Sequence, residues 1–363
     1  MHREAVLEKT NEAILNRVFP GGVIGIVHKD GTREIIPFGT FTYDSNSPVI
    51  REDSIYDVAS ITKSIPTASL ALQLIDEGKL KLTDKLIDHI PEFRNSDREL
   101  VTIKHLLTYT LDGYGLGTAL NEITKTSLKG ATAKQLLETL MTHDFEKRPG
   151  TVFKYSNIPA VLLGMVVERI YNQTLDVLAK ERFFGPLAMT RTTFYPEKFL
   201  HEEIAPTEID DWRGLVHGIV HDESAYIAKQ DGVVMGHAGL FSTAPDILTF
   251  LQMLLHGGTY QGKRFFSSEI IKLMQTNQIP ELNDFTGLGW ELNQPRYMGE
   301  HCSSATFGKT GFTGTLCVCD IKKEIAYVIL TNRTFPKRTP DSTAINSFRK
   351  EVGEIILSAT SIQ

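Results

Sequence analysis

Apolar residues form strand-like runs near both ends of the chain. Residues 22–28 and 32–38 flank an Asp-Gly turn, which predicts a β-hairpin. Residues 314–320 and 325–330 flank a short charged turn in the same way. The pattern therefore predicts antiparallel strands at both termini.

Between these hairpins the apolar spacing is that of helices. It predicts a long helix over residues 60–77, ended by Gly78, and an amphipathic helix over about residues 343–357. Further helices are predicted over residues 103–107, 133–141, 159–171, 175–183 and 244–255. Pro66 should kink the first helix, because its ring removes one backbone hydrogen bond. Segregated strands and helices favour an α+β fold, in which a terminal antiparallel sheet is flanked by helices and a mostly helical region is inserted.

The chain length predicts two lobes. A chain of 363 residues is near the upper limit for one hydrophobic core. We expect residues 1–65 and 285–363 to form an α/β lobe around the sheet, and residues 66–284 to form a mostly helical lobe. No low-complexity linker separates them, so the lobes should share a continuous interface, with the active site in the cleft between them.

Composition excludes several function classes. The formal charge of −6 and the lack of a Lys/Arg-rich run give no basis for binding nucleic acid. The longest apolar stretch, residues 160–167, is far shorter than the roughly 20 residues of a transmembrane helix. Residues 1–19 alternate charged and apolar positions and lack the apolar centre of a signal peptide, so we expect a cytoplasmic protein unless an export signal has been removed.

The first candidate for chemistry is a Ser-x-x-Lys segment at the start of the long predicted helix. Ser60 and Lys63 share one face of a helix, which brings the amine within reach of the hydroxyl. The positive end of the helix dipole and the serine N–H would also stabilise an oxyanion. About one Ser-x-x-Lys is expected by chance in a chain of this length, and Ser347 with Lys350 on the last helix is such a match.

The second candidate is a Tyr-Ser-Asn segment after a Pro-Gly turn, just before the helix predicted from residue 159. Loops that enter helices project side chains into clefts, so Tyr155 and Asn157 are candidate site residues. A tyrosine held between two ammonium groups would have a lowered pKa and could act as a general base. The alternatives are an ordinary half-buried aromatic residue for Tyr155 and a helix N-cap for Asn157.

The third candidate is a Lys-Thr-Gly segment in the strand region before the last hairpin. Gly311 permits close backbone approach, so the Phe312 N–H could complete an oxyanion hole along a strand edge. Lys309 would then point into the cleft beside Thr310. The alternative is an edge strand interrupted by glycines.

These three motifs, in this order, resemble the set of the penicillin-recognising serine hydrolases. The resemblance is closest to the branch of class C β-lactamases, low-molecular-mass D,D-peptidases and related esterases, because the second motif is Tyr-Ser-Asn. Segments such as Gly-Leu-Phe-Ser-Thr-Ala at residues 239–244 extend it over nearly the whole chain. It implies a β-lactamase/transpeptidase-like fold and acylation of Ser60. The same resemblance implies that Lys63, Tyr155 and Lys309 complete the catalytic set and that Asn157, Thr310, Gly311 and Phe312 bind substrate or oxyanion.

A metal site is the main alternative chemistry. Five possible ligands lie close together in the sequence: His217, His221, Asp222, Glu223 and His237. A His-x-x-x-His pair on a helix can bind Zn²⁺, but Gly218 and the nearby valines disfavour a helix there. The serine machinery needs no metal, so we expect loop histidines near the cleft, no metal and no cofactor.

Two departures from the family pattern affect the substrate. Phe312 stands where β-lactamases carry a small hydroxyl residue, which removes a donor for a substrate carboxylate. Residues 109–113 read Tyr-Thr-Leu-Asp-Gly where many relatives have His-Thr-Ser-Gly. We expect a small acyl substrate, and cleavage of a cyclic or D-amino-acid amide as in β-lactamases and D,D-peptidases. The alternatives are a carboxylesterase on the same fold and a penicillin-binding or sensor protein that is acylated without turnover. The sequence leaves the oligomeric state open.

Overall fold

A six-stranded antiparallel sheet joins the two ends of the chain. The computed structural model describes residues 2–94, 96–112, 131–142 and 145–358. The strands are β1 Gly21–His28, β2 Arg33–Gly39, β3 Tyr56–Asp57, β4 Glu208–Asp210, β5 Gly214–Val216, β6 Phe241–Ser242, β7 Thr259–Tyr260, β8 Lys263–Arg264, β9 Glu291–Leu292, β10 Thr306–Thr310, β11 Leu316–Asp320 and β12 Ile325–Thr331. The large sheet has the order β2-β1-β12-β11-β10-β9. Gly22 of β1 lies opposite Thr331 of β12, so the predicted terminal sheet is confirmed.

The helices lie mostly between the terminal strands. The α-helices are α1 His2–Leu15, α2 Ser69–Asp76, α3 Leu86–His89, α4 Ile103–Leu107, α5 Ala133–Thr142, α6 Ile158–Tyr171, α7 Leu175–Ala179, α8 Glu223–Gln230, α9 Ala244–Leu255, α10 Ser268–Gln275, α11 Pro295–Met298 and α12 Thr343–Ser358. Two wider π-helical turns cover Lys63–Ala68 and Lys180–Phe184, and short 3₁₀ turns cover Pro91–Phe93, Ser96–Leu100, Pro196–Lys198, His201–Glu203 and Pro280–Leu282. Among the helices described, none is both long and apolar enough to cross a membrane.

Both faces of the sheet are buried, because successive side chains of a strand point to opposite faces. Val23 of β1 packs in the same apolar cluster as Leu248 of α9. Ile24, the next residue of β1, packs with Val6 of α1 and Phe348 of α12. Helix α9 thus covers the sheet although it comes from the segment expected to form the helical lobe. The division of the chain at residues 65 and 285 stays a prediction.

The first long helix is shorter than predicted. A regular α-helix begins only at Ser69, and the preceding turn contains Ile65 with the non-helical angles φ −119° and ψ 106°. The break lies next to Pro66, which confirms the predicted kink. The apolar periodicity continues across the break, so periodicity alone could not reveal it.

Candidate active site

Ser60 follows a short extended segment that is tied to the centre of the chain. Strand β3 pairs with β6, and the Val58 N–H donates to the Leu240 carbonyl over 2.9 Å. Ala59 has φ +47°, in the left-handed region that costs a non-glycine residue roughly 1–2 kcal/mol. Asp57 Oδ1 accepts the Ala59 N–H over 2.8 Å and stabilises this sharp turn. The turn presents Ser60 to a cavity of about 360 Å³.

Ser60 and Lys63 are in direct contact. Lys63 Nζ lies 2.7 Å from Ser60 Oγ and donates to the His237 carbonyl over 2.9 Å. Burial lowers the pKa of Lys63 below its ordinary value, and the Lys309 ammonium adds to this effect, although the Tyr155 phenol opposes it. The amine is therefore a better proton acceptor than an exposed lysine.

Tyr155 lies next to both lysines. Its ring centroid is 4.1 Å from Lys309 Nζ and 5.4 Å from Lys63 Nζ. Burial alone would raise the pKa of Tyr155, but the ammonium groups of Lys309 and then Lys63 outweigh it, so this pKa is lowered. Part of the residue, 42%, is exposed. The structure thus brings together Ser60, Lys63, Tyr155 and Lys309.

Lys309 does not point into the cleft, so that part of the prediction is wrong. The residue is 0% exposed, and its Nζ lies 2.6 Å from Glu291 Oε1 and 4.7 Å from the Tyr109 ring centroid. Glu291 also accepts a hydrogen bond from the Tyr297 hydroxyl. Burial would lower the pKa of Lys309, but Glu291 and the phenols of Tyr109 and Tyr155 raise it above its ordinary value. Lys309 is a fixed, buried cation.

The Lys-Thr-Gly segment continues into a tight turn that docks on the strand before the serine. The Gly311 N–H donates to the Thr315 carbonyl over 2.7 Å. Thr313 Oγ1 donates to the Asp57 carbonyl over 2.7 Å, and Thr315 Oγ1 donates to the Val58 carbonyl over 3.1 Å. A Cβ on Gly311 would lie only 2.0 Å from Thr315 Oγ1, so a larger residue would displace the turn. These contacts fix the segment beside the serine.

All four residues predicted to bind substrate line the same cavity as the serine: Asn157, Thr310, Gly311 and Phe312. Phe312 is 42% exposed and stacks on His221, with 5.7 Å between ring centroids. Asn157 occupies the N-cap position of α6, as the alternative interpretation predicted, but its side chain makes no capping hydrogen bond to the helix. Its Nδ2 lies 3.5 Å from Asp222 Oδ2 instead.

The histidines of the metal hypothesis have other contacts. His237 Nε2 lies 2.9 Å from Asp222 Oδ1 and 3.0 Å from Ser224 Oγ. Both partners contact the same ring nitrogen, whereas a Ser-His-Asp triad uses opposite nitrogens. His217 follows β5 and contacts the Ile204 carbonyl over 2.7 Å. Over the residues that the structure covers, no group of three His, Cys, Asp or Glu side chains could hold a metal ion.

Glu291 and Tyr109, which both contact the catalytic set, were not identified as site residues from the sequence. Glu291 belongs to a two-residue strand, where it lies opposite Gly308, and such a short strand has no alternation to mark it. Tyr109 has φ +55° and packs on Tyr155 with 5.2 Å between ring centroids. It lies in the stretch that departs from the family pattern, of which Gly113 is outside the described residues. In the sequence, Tyr109 stood out only because its stretch differs from the His-Thr-Ser-Gly of many relatives.

Comparisons with known proteins agree with this fold. The model of a family described as Beta-lactamase matches residues 5–349. An Escherichia coli (strain K12) protein named "Putative D-alanyl-D-alanine carboxypeptidase" is 33% identical over 304 residues, which cover 77% of this chain and 69% of that protein. Among solved structures, "EstCE1, a hydrolase with promiscuous acyltransferase activity" has a TM-score of 0.76 at 20% identity and covers 98% of each chain. The octameric penicillin-binding protein homologue from Pyrococcus abyssi has a TM-score of 0.75 at 23% identity, over 99% of this chain and 78% of that one.

The fold and the family match define the class of this protein as a serine hydrolase with a β-lactamase/transpeptidase-like α+β fold. The chain belongs to the beta-lactamase family.

Proposed function

We propose that this chain hydrolyses small D-amino-acid amides through an acyl-enzyme on Ser60. The observation that carries the proposal is the 2.7 Å contact between Lys63 Nζ and Ser60 Oγ, which pairs a hydroxyl with an amine of lowered pKa. The 33% identical relative, whose printed name is a D-alanyl-D-alanine carboxypeptidase, supports the substrate class.

Proton transfers divide between two groups in this proposal. Lys63 takes the Ser60 proton as Oγ bonds to the substrate carbonyl carbon, because its Nζ lies 2.7 Å from Ser60 Oγ. Tyr155, with its lowered pKa, returns a proton to the leaving amine as the carbon–nitrogen bond breaks. Water then attacks the ester carbonyl carbon and gives a proton to the Tyr155 phenolate. Lys63 returns its proton to Ser60 Oγ as the ester bond breaks and the acid product leaves.

Two backbone N–H groups are suited to stabilise the oxyanion. Ser60 and Phe312 line the same cavity. Within the described residues neither N–H donates to a protein acceptor, so both remain available to a substrate oxygen. Removal of one such donor from other serine hydrolases costs roughly 10²–10³ in kcat.

A carboxylesterase is the second candidate function. Phe312 is 42% exposed in the cavity, which suits an apolar ester group. Lys309 is fully buried against Glu291, so it offers no free ammonium to the carboxylate that β-lactams carry. Both observations favour a neutral ester over a β-lactam.

A turnover panel tests these candidates. Wild type, Ser60→Ala and the exposed control Ser347→Ala should be assayed with a D-Ala-D-Ala peptide, nitrocefin and p-nitrophenyl butyrate. We expect release of D-alanine by wild type and the control and none by Ser60→Ala. Turnover of the ester alone would support the esterase. A burst without steady turnover would identify a protein that is acylated only, and unchanged activity of Ser60→Ala would contradict the mechanism.

A further inference from the structure

A buried histidine connects two parts of the candidate site. His237 is 0% exposed and lies in the segment between α8 and β6. Its carbonyl accepts a hydrogen bond from Lys63 Nζ over 2.9 Å. Its ring Nε2 lies 2.9 Å from Asp222 Oδ1, and the carboxylate can only accept, so Nε2 donates to it. His237 therefore contacts the proton acceptor of the serine with its backbone and a carboxylate of the cavity wall with its side chain.

The backbone next to His237 is fixed on two sides. Thr67, in the first π-helical turn, donates from Oγ1 to the Gly236 carbonyl over 2.7 Å. A Cβ on Gly236 would lie only 2.3 Å from the Ala160 carbonyl oxygen of α6, so the two segments are in close backbone contact. The His237 carbonyl is thus held between the turn after the serine and the helix that begins after Asn157.

The two oxygens of Asp222 have different partners. In addition to the His237 ring, Oδ1 accepts hydrogen bonds from Ser224 Oγ over 2.7 Å and, at the N-cap of α8, from the Ala225 N–H over 3.0 Å. Its other oxygen, Oδ2, lies 3.5 Å from Asn157 Nδ2. Because a carboxylate only accepts hydrogen bonds, Asp222 turns the NH₂ group of Asn157 towards itself. One oxygen anchors Asp222, and the other orients a side chain of the cavity.

We propose that His237 and Asp222 are positioning residues for the reaction at Ser60. The His237 carbonyl orients the Lys63 amine, and the His237 ring holds the Asp222 carboxylate beside Asn157. The pair therefore aligns the proton acceptor and a substrate-binding side chain with each other. The proposal rests on the proposed function, because both residues act through groups assigned to that reaction.

Asp222 also acts on Lys63 through its charge. Burial would raise the pKa of Asp222, but the charge and hydrogen bond of His237 outweigh it and hold this pKa well below its ordinary value, so Asp222 is an anion at neutral pH. Burial lowers the pKa of Lys63, and the Lys309 ammonium contributes to this effect. The Tyr155 phenol and the Asp222 carboxylate raise the same pKa.

Removal of the Asp222 charge should therefore lower the pKa of Lys63 further. Lys63 must be free of its proton to accept the proton of the serine. The acidic limb of a rate profile for reaction at Ser60 should then move to lower pH. A role of Asp222 in packing alone would not move this limb.

Two variants of the carboxylate cluster test this effect. Asp222→Asn removes the charge and keeps the fold of α8, because asparagine is as good an N-cap as aspartate. The rate of Ser60 labelling by a fluorophosphonate is measured from about pH 5 to pH 10, which includes lowered and ordinary lysine pKa values. We expect the acidic limb of Asp222→Asn at lower pH than that of wild type. Ser224→Ala removes a neutral hydrogen bond to the same carboxylate and keeps its charge, so its limb should coincide with that of wild type.

Two variants of His237 test the hydrogen bond to Asp222. His237→Ala removes the donor and should lower the labelling rate at neutral pH by about tenfold, as the loss of one charge-assisted hydrogen bond implies. His237→Gln retains an N–H donor of similar reach and should recover most of this loss. Circular dichroism checks that each variant is folded.

The labelling reaction separates this proposal from the proposed function, because it requires a reactive Ser60 but no turnover. Coincident acidic limbs for Asp222→Asn and wild type would overturn the positioning role. An equal displacement by Ser224→Ala, or equal losses in His237→Ala and His237→Gln, would also overturn it, because packing would then explain the effect. If the limbs move as expected but no substrate is hydrolysed, the positioning role stands and the hydrolytic proposal fails.

Discussion

Lys309 acts on its surroundings as a charge held in one position. Its ion pair with Glu291 is buried, and separation of the two charges would leave both uncompensated. The ammonium therefore stays 4.1 Å from the Tyr155 ring centroid. This position suits an electrostatic effect on Tyr155 rather than direct contact with a substrate.

The first prediction concerns the loss of this charge. Lys309→Ala should lower kcat/KM for an acidic β-lactam and for a neutral ester by similar factors, about ten- to a hundredfold, because the pKa of Tyr155 would rise in both cases. Steady-state assays with a penicillin and p-nitrophenyl butyrate measure the two losses, and the exposed Lys263→Ala is the control. A loss confined to the acidic substrate would instead make Lys309 its anchor.

The second prediction concerns the partner of Lys309. The Glu291 carboxylate and the phenols of Tyr109 and Tyr155 face the ammonium of Lys309. Burial lowers the pKa of Lys309, but these groups raise it, and Glu291 has the largest raising effect. Glu291→Gln removes that carboxylate while burial, which lowers this pKa, remains. Lys309 should therefore lose its proton at a lower pH, and the alkaline limb of the kcat/KM profile should move to lower pH.

Profiles of kcat/KM from about pH 7 to pH 11, a range that includes the ordinary lysine pKa, measure this shift. Glu300→Gln is the matched control, because Glu300 pairs with Lys350 at the surface. Coincident alkaline limbs for Glu291→Gln and wild type would contradict the role of Glu291.

At the residue scale, spacing along the chain predicted the central contact. Ser60 and Lys63 are three residues apart, and one turn of chain brings them together. Glu291 could not be predicted, because its partner is 18 residues away on the next strand. Arg349, which also lines the cavity, was missed because it lies inside the chance Ser-x-x-Lys match of the last helix, which appeared to be surface.

Two elements remote in sequence hold Phe312 at the edge of the cavity. Glu208 of β4 lies 3.1 Å from His221 Nε2 and 2.7 Å from Arg338 Nε. His221 in turn stacks on Phe312, and the Arg338 guanidinium lies 5.9 Å from the same ring. Glu208 therefore links the hairpin of β4 and β5 to the segment after β12.

The third prediction follows from this link. Burial would raise the pKa of Glu208, but hydrogen bonds from His221 and Arg338 lower it to about 2. Because the folded protein holds the pKa of Glu208 below its ordinary value of 4.5, the ionised carboxylate stabilises the fold at pH values above 4.5. This contribution is lost as the pH falls from 4.5 to about 2. Glu208→Gln should cost roughly 3 kcal/mol at pH 7, and the difference from wild type should shrink towards pH 2.

Urea unfolding at several pH values measures this difference. The exposed Glu202→Gln is the control and should follow wild type throughout. A destabilisation by Glu208→Gln that is constant with pH would show that packing, rather than ionisation, is responsible.

At the element scale, alternation and helical periodicity predicted the terminal hairpins and the helix at residues 244–255, because those segments are regular and half or fully buried. The short strands β3, β6 and β9 could not be predicted from two residues each. Their registers depend on contacts between distant parts of the chain, such as Tyr56 opposite Ser242.

The whole molecule has a core that runs from the sheet into the helical region. A single apolar cluster contains Val23 of β1, Cys319 of β11, Leu72 of α2 and Leu163 of α6. We therefore expect one cooperative unfolding transition for both predicted lobes. Far-UV circular dichroism and tryptophan fluorescence should give the same midpoint. Two separate midpoints would show that the lobes unfold independently.

The central claim is that Ser60 forms the acyl-enzyme, and mass spectrometry of the covalent adduct tests it most directly. Wild-type protein is incubated with a fluorescent penicillin or a fluorophosphonate and is then digested. The labelled peptide is identified by mass spectrometry. We predict one label on the peptide that contains Ser60, its loss in Ser60→Ala and its retention in Ser347→Ala. A label on Ser347, or no label with either probe, would contradict the account.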